Sequence, residues 1–127
     1  MKEIFYINWL EIREGDNVAR YCINRMADTI NFPSIVTTTL LEGGVGGDLD
    51  WGIHQWDEHA LSDYGTEKFK GWRFYIGPDE HGGGQDIECF LSSNKFKTLL
   101  HEALIKFSDE MPSHRDEVHN VIQEYIA

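Results

Sequence analysis

Apolar residues recur along this chain with two periods, one typical of helices and one typical of strands. In residues 16–30 they fall at every fourth position, which predicts a helix capped by Asp16. In residues 72–76 and 87–91 they alternate with other residues, which predicts the two antiparallel strands of a hairpin. The connection, residues 77–84, is glycine-rich and long for a hairpin, so we expect it to be mobile.

The last third of the chain predicts two helices in succession. Ser92 or Ser93 is placed to cap the first, because residues 96–107 repeat apolar side chains in the pattern of one helical face. Ser113 and Asp116 resemble a capping box, so we expect the second helix to begin there. The two helices would form a C-terminal helical pair.

Two other segments fit more than one structure. Residues 4–10 are aromatic and β-branched, and they could form a strand or the start of a helix. Residues 34–42 have the composition of a strand, but Pro33 before them and Gly43 after them could equally frame a short helix. The sequence leaves both alternatives open.

The middle of the chain predicts two loops around one further strand. The glycine-rich residues 43–47 predict a loop, residues 48–56 alternate as a strand does, and residues 57–70 predict a polar loop. No repeat or linker divides the chain, so we expect residues 1–127 to form a single domain. Its predicted class is α+β, a small antiparallel β-sheet with helices packed at one side.

The chain is strongly acidic, with 22 Asp and Glu against 11 Lys and Arg and a formal net charge of −11. Because phosphate groups would repel such a surface, we expect no direct contact with nucleic acid and no docking on an anionic membrane. A basic protein partner fits this charge.

The first ten residues and the two cysteines indicate the compartment. Glu3 and Asn8 interrupt the basic and apolar regions that a secretory signal needs, and no apolar run is long enough to span a bilayer. Cys22 and Cys89 lie on apolar faces and form no CxxC pair, so both are predicted to be buried free thiols. A cytoplasmic location is the simplest interpretation.

Motifs for catalysis or for metal binding do not emerge. His54 and His59 are five residues apart, as are His114 and His119, whereas the HExxH zinc motif needs a separation of four. Neither glycine cluster has the adjacent Lys and Ser or Thr of a phosphate-binding loop. We therefore expect no enzyme activity, no catalytic residue, no metal and no cofactor.

Paired carboxylates are the remaining enzymatic alternative. Asp57 and Glu58 are adjacent and would point to opposite faces of a strand, whereas Asp48 and Asp50 would share a face. A small hydrolase built on such a pair, with or without a histidine-bound metal, is therefore an alternative function.

Acidic residues are concentrated in two intervals that contain no Lys or Arg. One interval lies between Arg25 and Lys68 and holds eight acidic residues, and the second runs from Phe74 to Asn94. Aromatic residues interleave the acids, and aromatic side chains beside charge are typical anchors of protein interfaces. The candidate partner-binding residues are Asp48, Asp50, His54, Trp56, Asp57, Glu58, Asp63, Tyr64, Asp79 and Glu80.

An ordered series of features in residues 43–126 resembles a known family. A glycine-rich loop and an acidic, aromatic strand come first, followed by Phe-Lys-Gly-Trp-Arg-Phe at residues 69–74. A second strand ends at Leu91, and two helices follow, marked by Phe96, Leu99, Leu100, Pro112 and Tyr125. In this order of features the chain resembles the immunity proteins of bacterial contact-dependent growth inhibition systems that neutralise ribonuclease toxins.

The resemblance implies a stoichiometric inhibitor. Proteins of this family bind a toxin domain, cover its active site or its RNA-binding surface, and protect the cell that makes them. The implied partner is a cognate, basic ribonuclease domain in a heterodimer, and no contact residue can be carried over to this sequence. An acidic regulatory module for another basic protein is a further alternative.

Overall fold

The computed structural model of the protein describes residues 3–28, 31–46, 50–55 and 71–127. Its α-helices are α1 (Asn17–Met26), α2 (Phe32–Glu42), α3 (Pro78–His81), α4 (Ser93–Glu110) and α5 (Arg115–Val121). Its strands are β1 (Gly44–Gly46), β2 (Trp51–Gln55), β3 (Trp72–Ile76) and β4 (Ile87–Leu91). Short 3-10 helices cover Trp9–Glu11 and Pro112–His114, and a π-helical turn covers Ile122–Ile126.

The four strands form one antiparallel sheet in the order β1-β2-β3-β4. The register aligns Ile53 of β2, Phe74 of β3 and Cys89 of β4 across the sheet. Because residues directly opposite each other on neighbouring strands point to the same side of a sheet, these residues share one face. The predicted hairpin and the predicted α+β class are both confirmed.

One face of this sheet carries the hydrophobic core. The Phe96 ring of α4 packs against Trp72 and Phe74, with centroid distances of 4.9 and 5.0 Å. Helix α1 adds Cys22 and Ile23, which are fully buried in the same core. Each large apolar side chain buried here stabilises the fold by about 1.5–3 kcal/mol. The helices therefore lie at one side of the sheet, as the pattern of apolar residues predicts.

Residues 34–42, for which strand and helix were both open, belong to α2. Pro33 lies in the first turn, where the N–H that proline lacks would have no helical partner anyway. Gly43 follows the last turn in the left-handed conformation, with φ of +83°, and donates its N–H to the Thr39 carbonyl oxygen at 2.9 Å. These two end signals outweigh the strand-like composition, because Pro33 removes one free N–H from the first turn and Gly43 donates a hydrogen bond to a carbonyl of the last turn.

The glycine-rich and N-terminal segments differ from expectation. Predicting a loop throughout residues 43–47 is wrong, because they include β1, in which Gly46 pairs with Gly52. The two backbones approach so closely that a Cβ at Gly46 would lie 2.8 Å from the Gly52 Cα. Residues 4–10 form neither a strand nor an α-helix, since an irregular segment leads into the 3-10 helix Trp9–Glu11.

Helix boundaries also differ from the prediction in several places. Helix α1 ends at Met26, earlier than expected, and the connection expected to be a mobile loop contains α3. Ser113 does not cap α5, because the 3-10 helix that begins at Pro112 takes up that residue. The cap predicted for α4 is confirmed at Ser92, whose Oγ accepts a hydrogen bond from the Lys95 N–H at 3.1 Å.

Candidate protein-binding site

The structure describes four of the ten residues that the sequence nominates for partner binding. Asp50 lies directly before β2, His54 lies within it, and Asp79 and Glu80 belong to α3. The polar loop predicted for residues 57–70 lies outside the described residues. The same holds for the other candidate contacts, which are Asp48, Trp56, Asp57, Glu58, Asp63 and Tyr64.

Asp50 and Glu80 come from the two separate acidic intervals, yet the fold brings their segments to one end of the sheet. The backbone N–H of Gly77 donates to the Asp50 carbonyl oxygen at 2.7 Å. Helix α3 begins at the next residue, Pro78, because the fixed φ of proline suits a first helical turn. We call this part of the molecule, defined by Asp50, Trp51, Gly77 and Glu80, the acidic end.

At the acidic end, Glu80 is held by two side chains of α1. Its carboxylate accepts one hydrogen bond from the Tyr21 hydroxyl and one from Arg25 Nη1, the latter at 2.9 Å. Arg25 also donates to the Tyr21 oxygen at 3.0 Å, and its Nε lies 3.6 Å from the Asp28 carboxylate. Arg25 therefore shares its positive charge between the two carboxylates of Glu80 and Asp28, so this cluster keeps a net negative charge.

The pKa values of this network follow from burial and hydrogen bonding. Burial is the main reason why the pKa of Tyr21 is raised from 10 to about 12, and the hydrogen bond to Glu80 adds to the rise. The pKa of Glu80 is lowered, first by the Tyr21 hydrogen bond and then by Arg25, although burial opposes the shift. Near neutral pH the hydroxyl is therefore protonated and the carboxylate ionised, which is the state that this bond requires.

Two aromatic contacts involve the α1 side chains that hold Glu80. The Arg25 guanidinium lies over Trp51, with Cζ 5.8 Å from the ring centroid, and Trp9 meets Tyr21 edge to face at 5.2 Å between centroids. Sequence reasoning missed Trp9, Tyr21 and Arg25 as members of this site. The helical period assigns Tyr21 to the core face, and the aromatic composition of the N-terminal segment was the one signal for Trp9.

On the sheet face opposite the core, the side chains of β2 and β3 are buried, whereas those of β4 are exposed. His54 is 8% exposed, and Arg73 and Tyr75 are each 9% exposed. The Tyr75 ring covers Gly52, and the Arg73 Cζ lies 4.7 Å from the Tyr75 ring centroid. Arg73 Nε donates to the Glu88 carboxylate at 2.6 Å. Of the candidate contact residues, His54 therefore presents little surface to a partner.

Metal ligands and thiols are the groups in the described ranges that bear on enzyme chemistry. No group of three or more His, Cys, Asp or Glu side chains within them could hold a metal ion. Cys22 is buried, Cys89 is half-buried, and both are free, which agrees with the sequence prediction for Cys22 and partly for Cys89. Burial raises the pKa of both thiols, so neither is an activated nucleophile.

No helix among the described residues is long and apolar enough to cross a membrane.

Open clefts lie at the other end of the sheet. One has a volume of about 350 Å³ and is bordered by Gln55, Trp72, Lys97 and Glu124, among others. Glu124 also borders a neighbouring cleft, together with Glu117. Gln55 is at the opposite end of β2 from Trp51, so Glu117 and Glu124 are remote from the acidic end. Because both glutamates are exposed, substitutions there can serve as a control for substitutions at the acidic end.

Comparison with protein-family models, with curated proteins and with solved structures finds no match. A functional assignment therefore rests on the residues of this chain and on their geometry.

Proposed function

We propose that this protein is an immunity protein that binds and inhibits a cognate, basic ribonuclease toxin of a contact-dependent growth inhibition system, acting in the cytoplasm. The observation that carries the proposal is the placement of acid. Eight acidic and no basic residues lie between Arg25 and Lys68, and Asp50 from this stretch lies at the same end of the sheet as Glu80 from the second acidic interval. The family resemblance of residues 43–126 supplies the kind of partner.

The inhibition that we propose is electrostatic and steric. An enzyme that cleaves RNA must present Lys and Arg to phosphate, and an acidic protein surface competes for those same groups. Such a surface accelerates encounter, with an association rate that falls as salt is added. In the complex, the inhibitor occupies the active site or the RNA-binding surface and keeps substrate out. No covalent step is involved, so no catalytic residue or cofactor is needed.

The decisive experiment pairs this chain with the C-terminal domain encoded by the adjacent open reading frame. We expect the two to co-purify in equal amounts, the chain to restore growth of cells that express the domain, and RNA cleavage by the purified domain to stop at one equivalent of the chain. A domain that is neither bound nor neutralised would make the proposed function wrong.

A charge-reversal pair tests the part played by the acidic residues. Changing Asp48→Lys together with Asp50→Lys should slow association at low salt by about tenfold or more, with a smaller effect at high salt. The matched control is Glu117→Lys with Glu124→Lys, which changes the net charge equally at the remote clefts. Equal association rates for the two variants would show that Asp48 and Asp50 do not face the partner.

A further inference from the structure

The N-terminal segment, residues 3–11, exposes three large side chains with much apolar surface. The exposed fraction is 86% for Tyr6, 45% for Trp9 and 95% for Leu10. Phe5 and Ile7, on either side of Tyr6, are buried in the core. The segment therefore has one side packed in the protein while the other carries these three side chains into solvent. We call Tyr6, Trp9 and Leu10 the N-terminal anchor.

The backbone that carries the N-terminal anchor is held in place by side chains of α1. The Asn24 amide accepts from the Phe5 N–H at 2.8 Å and donates to the Phe5 carbonyl oxygen at 2.9 Å. Towards the end of the segment, Asn17 Nδ2 donates to the Glu11 carbonyl oxygen at 2.7 Å. The conformation is therefore organised before any partner arrives, so that binding costs little additional backbone entropy.

Charged residues around the anchor are mainly acidic. Residues 3–14 contain Glu3, Glu11 and Glu14, all exposed, and a single base, Arg13. Two further bases reach the segment from the helices, since Lys106 Nζ donates to the Ile4 carbonyl oxygen at 3.2 Å and the Arg20 Cζ lies 4.8 Å from the Phe5 ring centroid. Each of the two is paired with an acid of its own helix, at 3.7 Å for Lys106 and 2.9 Å for Arg20, so the acidic surplus remains. The anchor thus combines apolar side chains with a surplus of negative charge, which is the composition that a basic surface with apolar pockets would recognise.

The N-terminal anchor also adjoins the acidic end. Trp9 contacts the Tyr21 ring, and the Tyr21 hydroxyl donates to Glu80. Within the anchor, the Cα atoms of Tyr6 and Leu10 can be at most about 14 Å apart, because four residues of extended chain span no more. That distance fits well within one side of a standard protein interface. The anchor and the acidic end can therefore contact a single partner.

We propose, on the basis of the function proposed above, that the N-terminal anchor belongs to the docking surface for the basic toxin domain. Tyr6, Trp9 and Leu10 enter apolar pockets of that domain, and the flanking glutamates face its Lys and Arg side chains. A second copy of this chain fits less well, because it would bring together two molecules of charge −11 with their acidic surroundings in contact.

The test replaces the two most exposed members of the anchor, in the variant Tyr6→Ser with Leu10→Ser. Neither side chain is part of the core, so the variant should unfold at the same temperature as the wild type. Trp9 is left in place because it contacts Tyr21. The matched control is Leu41→Ser with Ile105→Ser, which removes two exposed apolar side chains from α2 and α4.

Affinity for the C-terminal domain encoded by the adjacent open reading frame is then measured for all three proteins. The anchor variant should bind at least about thirtyfold more weakly, mainly through faster dissociation, and the control should stay within about threefold of wild type. If wild type and the anchor variant bind equally, the anchor is not at the interface but the proposed function stands. If the wild type does not bind the domain, both proposals are wrong. A wild-type dimer in sedimentation equilibrium that the anchor variant abolishes would overturn the assignment to the toxin in favour of a second copy.

Discussion

The side-chain amide of Asn24 binds both backbone polar groups of Phe5. Its Oδ1 accepts from the Phe5 N–H at 2.8 Å, and its Nδ2 donates to the Phe5 carbonyl oxygen at 2.9 Å. An asparagine of α1 thus substitutes for the neighbouring strand that an irregular segment lacks. This explains a buried polar residue on a helix face that otherwise packs against apolar side chains.

Removing this amide should destabilise the protein. Asn24→Ala leaves two buried backbone groups without their side-chain partner, and we expect the free energy of unfolding to fall by about 2–4 kcal/mol. Asn24→Asp keeps an acceptor but loses the donor and buries a charge, so it should cost at least as much. Urea unfolding followed by tryptophan fluorescence measures both changes. Asn120→Ala, at an exposed position of α5, is the control, and an equally small effect at both positions would contradict the role of Asn24.

The Tyr21 hydroxyl predicts a pH dependence of stability in the alkaline range. The pKa of this hydroxyl is about 12 in the folded protein, above its ordinary value of 10. Its contribution to the free energy of unfolding is therefore complete below pH 10. Between pH 10 and 12 the unfolded chain loses this proton more readily, and the free energy of unfolding should fall. Tyr21→Phe should flatten this part of the profile, whereas Tyr6→Phe, at an exposed position, should not. Identical slopes for Tyr21→Phe and wild type would exclude the shift.

The close contact between Gly52 and the Tyr75 ring leaves no room for a side chain at position 52. A Cβ at this position would lie 2.5 Å from atoms of the Tyr75 ring, so Gly52→Ala should lower the free energy of unfolding by about 1–3 kcal/mol. Gly84→Ala is the matched control, because a Cβ there would meet no atom within 4 Å. Adding Tyr75→Ala to Gly52→Ala removes the clash, so in a double-mutant cycle the combined loss should be smaller than the sum of the single losses. Strict additivity would show that the ring is not the obstacle.

The two thiols should react slowly while the protein is folded. Cys22 is fully buried, and burial raises the pKa of Cys89 to about 11, so little thiolate is present at pH 8. With an aromatic disulfide reagent we expect slow labelling of the native protein and rapid release of two equivalents after unfolding. Cys22→Ser should leave a single, partly accessible thiol that reacts faster than Cys22 does in Cys89→Ser. The reverse order would contradict the burial of Cys22.

Local patterns predicted the hairpin and the long helix α4 well because each is decided by neighbouring residues. Alternation in residues 72–76 and 87–91 can bury one face of each strand, and Ser92 supplies the N-terminal cap of α4. The glycine-rich residues 43–47 were harder, because β1 exists only where the β2 backbone lies beside it. Pairing between strands depends on distant residues, which no local composition reports.

In the candidate site, too, the sequence revealed some features and the fold decided others. The two acid-rich intervals without Lys or Arg can be read directly from the sequence. The hydrogen bond from the Gly77 N–H to the Asp50 carbonyl oxygen, which joins the two intervals, cannot be read from it. Glu80 was nominated as a partner contact because of its charge, but in the folded protein its carboxylate accepts hydrogen bonds from Arg25 and Tyr21. Trp9 lies in a segment whose sequence has no regular period, and its contact with Tyr21 in the folded protein connects it to the site.

By itself, the sequence determined the α+β class, the hairpin, the two C-terminal helices and the uneven placement of negative charge. These properties depend on apolar period, end signals and composition, all of which act over a few residues. The tertiary structure decided which acids are balanced by a base, that His54 is buried, and that Tyr6 and Leu10 remain exposed on a segment held by Asn24. Those outcomes depend on contacts between residues far apart in the chain, because burial and charge pairing are properties of the folded surface.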